Sequence, residues 1–176
     1  MQFLYLSPNK NALLYTVKIL TGSVVLWFGL RYAGIAEPYW ALISLITVTE
    51  PDLTQARLNF KARTINTFTG TIIAGLVLVL IGSNIVALLV AVALAVLAAM
   101  MVHNYPANWR LAPTTVVVLM AAASNGSEFH EELDYALLRV AEVLAGSTVA
   151  LLQALIYVRI VGWFAKKNTH EAHSEV

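Results

Sequence analysis

Four long apolar runs dominate the chain, at residues 12–30, 64–82, 85–102 and 140–158, and Lys18 and Glu142 are the only charged side chains within them. Each run holds 18 or 19 residues, close to the roughly 20 that carry a helix across about 30 Å of hydrocarbon. Two shorter uncharged runs, 39–49 and 111–124, lie between them. Such lengths suit buried core helices, re-entrant segments or spans completed by their flanks. The pattern predicts an all-α polytopic membrane helix bundle of six segments, two of them short. It fills residues 1–165 and leaves a polar tail at 166–176.

Composition agrees with a bilayer as solvent and as the first expected partner. The 176 residues are 59% hydrophobic and 12% charged, whereas soluble domains carry about 25% charge. Mean hydropathy is +0.74. A net charge of +1 supplies no basic stripe for phosphates, so nucleic acid is excluded as a partner. Absence of cysteine removes disulfides and thiolate metal sites. Residues 1–9 hold no basic residue and no small-residue cleavage site precedes the first apolar run, so that run reads as a retained helix.

Charge placement sets the expected orientation. With the N-terminus inside, the inner connections hold Lys10, Arg57, Lys61, Arg63, Arg110, Arg159, Lys166 and Lys167, against Arg31 and Arg139 outside. Eight against two obeys the positive-inside rule. Both termini are expected in the cytoplasm of a cell whose inner membrane holds the protein. The acidic run Glu128, Glu131, Glu132 and Asp134 then faces outward.

The halves, about 10–82 and 83–164, share a pattern. Trp40 opens a short apolar segment and is followed by Arg63 and Gly70; Trp109 opens another and is followed by Arg139 and Gly146. Both Arg-to-Gly spacings are seven residues, a hydroxyl neighbours each glycine (Thr71, Ser147), and an alanine lies four residues beyond each (Ala74, Ala150). Three segments per unit is an odd number, so the second copy enters upside down, a 3+3 inverted repeat of the kind transporters use. Asp52 with Gln55 resembles a capping box after Pro51. Helix from there to Gly82 would be about 45 Å long, and its counterpart, from about 127 to 164, is longer still.

Helical spacing puts Arg63, Asn66, Thr67, Gly70 and Ala74 on one face, and Arg139, Glu142, Gly146, Ala150 and Gln153 on another. Gly70, Ala74, Gly146 and Ala150 read as close-packing positions. Arg139 and Glu142 are three apart and can pair, either as a structural ion pair near the headgroups or as part of a transport path. Lys18, about two turns into its run, reads as a snorkelling cation or a substrate contact. Tyr39-Trp40 and Tyr105 with Trp109 fit an interfacial aromatic belt or a stacking wall for an aromatic ligand. Glu50 fits a solvated helix end or a proton-coupled carboxylate. His170 and His173 are at most a weak metal pair in the tail, and no metal or cofactor is expected. No His-Glu-x-x-His, Gly-x-Ser-x-Gly or phosphate-cradling loop is present, so no catalytic residue is expected and the chain does not read as an enzyme.

With Tyr39-Trp40-Ala-Leu, Pro51, Arg63-x-x-x-Thr67-x-x-Gly70 and the Arg139-to-Gly146 stretch in view, the sequence resembles the fusaric acid resistance (FUSC) family over about residues 10–160. That family is related to aromatic acid exporters and plant aluminium-activated malate channels. Its arginine motif often reads Arg-x-x-Gly-Thr-x-x-Gly, and here Asn66 stands at the first glycine. The resemblance implies a six-helix domain that exports or conducts organic anions, especially aromatic carboxylates. Lys18, Arg63, Asn66, Thr67, Arg139 and Glu142 are the residues expected beside the path. A unit this small is expected to work as a homodimer or with a partner membrane chain. The competing expectation is a non-transporting subunit or scaffold of a larger efflux complex.

Overall fold

A computed structural model describes residues 10–35, 38–50, 52–102, 104–105, 108–124 and 129–174, with side chains described for 12–35, 38–50, 52–102, 104–105, 108–124, 134–135 and 137–160. Pro51, Glu128, Glu131, Glu132, Lys166, Lys167, His170 and His173 lie outside the described side chains. The described chain is all helical: α1 (Lys10–Tyr32), α2 (Tyr39–Val48), α3 (Leu53–Ile81), α4 (Ile85–Met101), α5 (Leu111–Ala123) and α6 (Phe129–Ser174).

Local chemistry sets the ends. Gly34, at φ 92°, closes α1 in a Schellman arrangement: Ile35 N–H donates to Leu30 O and Gly34 N–H to Arg31 O. Asp52 caps α3 by accepting from the Gln55 amide at 2.9 Å, and Asn84 caps α4 in the same way through Ala87. Between them Gly82, at φ 88°, turns the chain where a side chain would be strained. Helical backbone runs through residue 174. Extending an existing helix avoids the nucleation cost that a separate short segment meets.

Three helices are long and apolar enough to cross a membrane: Ala12–Tyr32, Leu53–Ile81 and Leu137–Ile160. The run at 85–102, read from sequence as a fourth full-length segment, forms the 17-residue α4 and joins α2 and α5 as a shorter apolar helix. Asn84 as cap and the extended backbone at Val102 stop it at both ends.

Packing falls into matching sets. α1 lies against α2 and α6, and α4 against α5 and α3. The short helices pack chiefly across the halves, α2 on α6 and α5 on α3, while α3 and α6 touch directly. Small residues let the backbones approach. Ala87, Ala91, Ala95 and Ala99 form the buried edge of α4. One apolar cluster joins Ala74, Leu78, Ala91, Val116 and Leu119, and a second joins Leu26, Ala41, Leu45, Val48 and Ala150. Leu20, Val25, Phe28, Leu80 and Leu89 point outward and stay exposed, as a lipid-facing surface requires.

Candidate functional site

The glycines fix how the halves meet. A Cβ on Gly146 would overlap the Ala41 carbonyl at the start of α2, and one on Gly70 would lie 2.8 Å from Ala112 O at the start of α5. Both distances are closer than packed atoms tolerate, so each long helix touches the backbone of the other half's short helix only because a hydrogen stands there. Ala74 and Ala150 are buried one turn further on. The four positions read from sequence as close-packing are therefore placed at helix contacts.

Polar groups gather beside these contacts. Arg63 is 4% exposed, and its Nε–H donates to Ser44 Oγ at 3.3 Å. Ser147 gives its hydroxyl proton to Val143 O, so in the 2.8 Å contact between the serines Ser44 donates to Ser147. The relay Arg63–Ser44–Ser147 ties α3, α2 and α6 together. Arg139 Nη1 donates to Glu142 Oε1 at 2.6 Å. Glu142 is fully buried, and its Oε2 has no hydrogen-bond partner among the described residues. Arg63, Thr67 and Arg139 line one cavity with Thr115 and Val143, of about 10 Å³, room for about one water. Thr67 and Thr115 hydroxyls donate back to Arg63 O and Leu111 O, which leaves their oxygens as acceptors.

The remaining expected path residues stand apart from this cavity. Asn66, fully buried, accepts from the Tyr105 hydroxyl at 3.0 Å and donates to Ala62 O, so both ends of its amide are satisfied. Lys18 does not join the arginines. Its Nζ donates to Glu50 O at 2.9 Å and sits 5.3 Å from the Tyr157 ring centroid, holding α1, α2 and α6 together at one end. Glu50 is not a free helix end either, since Oε1 accepts from Asn59, which in turn accepts from Gln55.

At that same end lies an open polar cleft of about 570 Å³ lined by Glu50, Asn59, Asn108, Trp109 and Arg110, among others. A lobe of about 400 Å³ adjoins it through Gln55, Asn59 and Asn108 and reaches Lys61 and Asn104. Sequence reasoning missed this cavity and the serine pair. Ser44, a hydroxyl in the middle of a short apolar run that otherwise carries hydroxyls only towards its ends, was the available signal for the second. The first depends on connections too short to show periodicity. Among the described residues no cluster of three or more metal-ligating side chains occurs.

The family described as fusaric acid resistance protein-like matches residues 10–153. The chain belongs to that family. No curated protein and no solved structure matches it. Family membership and the three long apolar helices together make this a transporter-like helical membrane protein, and the two arginines sit inside the matched region.

Proposed function

We propose that this fusaric acid resistance protein-like chain moves organic anions, aromatic carboxylates in particular, across the inner membrane, with the polar faces of α3 and α6 beside the path and no enzymatic step. One observation carries the reading: Arg63 and Arg139, from the two halves, line a single buried cavity. Cations inside a membrane bundle cost about 2.5–3.5 kcal/mol each on insertion scales and are kept where they serve a path or a partner. Arg139 has Glu142 as its partner. Arg63 has only the serine among the described residues, and its remaining N–H groups suit a carboxylate. The family description, which names resistance to an acid, points the same way.

The inverted repeat belongs to this proposal. Exchanging α1, α2, α3 with α4, α5, α6 maps the helix contacts onto themselves. The α2–α3 and α4–α5 connections share one cavity, while the α3–α4 turn and the end of α5 share another, so α3 and α6 enter from opposite ends. This supports all six helices as membrane segments. Lys18 beside Tyr157 brings the start of α1 and the later part of α6 to one side, in keeping with both termini in the cytoplasm. A homodimer or a partner membrane chain completes the path, since the cavity at the arginines holds little more than a water. That small volume is also what favours the second reading, a non-transporting subunit of an efflux complex.

Reconstitution decides between them. Purified protein in liposomes, screened with aromatic and aliphatic carboxylates with and without a proton gradient, is expected to move aromatic monocarboxylates unaided. Flux that returns only with a co-purified chain, at a rate that Arg63→Ala leaves unchanged, supports the subunit reading.

A further inference from the structure

We infer that the cavity between the α2–α3 and α4–α5 connections is a recognition site for a planar aromatic monocarboxylate, with Trp109 as the ring platform and Arg110 as the carboxylate anchor. The inference rests on the organic-anion reading above and assigns that reading a site distinct from the buried arginines.

Size and lining both argue for a ligand. Main cleft and lobe, about 570 and 400 Å³, are open at the surface and match small-molecule sites in size, roughly 300–1,000 Å³. Trp109 is half-buried in the wall, with the Arg110 guanidinium 5.4 Å from its ring centroid. The guanidinium lies over the indole, which holds a two-pronged carboxylate donor against an aromatic ring whose uncovered surface is left to meet a second ring. Arg110 has no carboxylate partner among the described residues.

Part of the remaining wall is polar and hydrogen-bonded. The chain Gln55–Asn59–Glu50 is hydrogen-bonded throughout, so Glu50 is held in place. Asn104 and Asn108 take left-handed backbone, φ 60° and 67°, the only non-glycine residues described to do so. That conformation is uncommon outside glycine and concentrates at ligand sites. Both residues line the lobe.

Charge selects the class further. The lining carries Lys61 and Arg110 against Glu50, a net of one positive charge. One carboxylate balances it, whereas a second would meet the fixed Glu50. The site should therefore prefer monoanions to dianions.

The test is calorimetric titration of the purified full chain in lipid nanodiscs with benzoate, cyclohexanecarboxylate, benzamide and phthalate, run alongside liposome flux. Benzoate should bind best. Arg110→Gln should weaken benzoate about tenfold or more and leave benzamide alone. Trp109→Leu should erase the preference for the aromatic over the saturated ring, roughly three- to tenfold. Asn108→Gly removes a carboxamide while glycine keeps the left-handed backbone, so it reports on the site without disturbing the fold. Trp27→Leu, at the far end of α1, should bind like wild type. Benzoate bound equally by wild type, Arg110→Gln and Asn108→Gly, with flux intact, would overturn the site and leave the transport reading standing. Wild type that neither binds nor moves any carboxylate would overturn both.

Discussion

Arg63 on α3 and Arg139 on α6 mark the same step in opposite halves, yet they are held very differently. Three residues beyond Arg63 stands Asn66, an amide satisfied by Tyr105 and Ala62. Three beyond Arg139 stands Glu142, which takes a charge-assisted bond from that arginine at 2.6 Å. One arginine is thus neutralised by its own helix. The other is buried, and its side-chain hydrogen bond among the described residues goes to a serine. The lesson is one of charge balance: Arg139 is paired within α6, whereas Arg63 reaches across to a serine of α2 and is the arginine proposed to meet an anion.

The strongest way to break this comparison is to remove each arginine and measure unfolding in detergent. Arg139→Leu strands a fully buried carboxylate and should cost about 3–5 kcal/mol, with most of the loss recovered by adding Glu142→Gln. Arg63→Leu strands no charge and should cost clearly less. Equal losses would dissolve the distinction. The glycines come next. Gly146→Ala drives a methyl into the Ala41 carbonyl and should destabilise by about 1–3 kcal/mol, more than Gly70→Ala, whose nearest backbone contact is less severe. Thermal melts that rank the two the other way would show that α2 yields more readily than α5. Smallest, Tyr105→Phe should cost about 1 kcal/mol by leaving Asn66 Oδ1 short of a donor; no change would mean that water replaces the hydroxyl.

Much of this was legible in the sequence because helix spacing is local. Seven residues from arginine to glycine put Gly70 and Gly146 on the same faces as Arg63 and Arg139, and three residues put Arg139 beside Glu142. Lipid simplifies the reading further, since charge is rare and each charged position stands out. What the sequence concealed is what depends on crossings between elements. Ser44 meets Ser147 across 103 positions, and Lys18 finds Glu50 and Tyr157 rather than the arginines. The run at 85–102 counted as a full span because its composition is uniform, while Asn84 and Val102 bound it as a 17-residue helix. The polar cavity near Trp109 was invisible because its walls come from two connections that only the folded chain brings together.

The most direct measurement is uptake of an aromatic monocarboxylate into liposomes holding either wild type or Arg63→Ala, with unfolding midpoints matched beforehand. Wild-type flux with Arg63→Ala reduced to the rate of protein-free vesicles is the predicted result. Undiminished flux in a folded Arg63→Ala variant would contradict it.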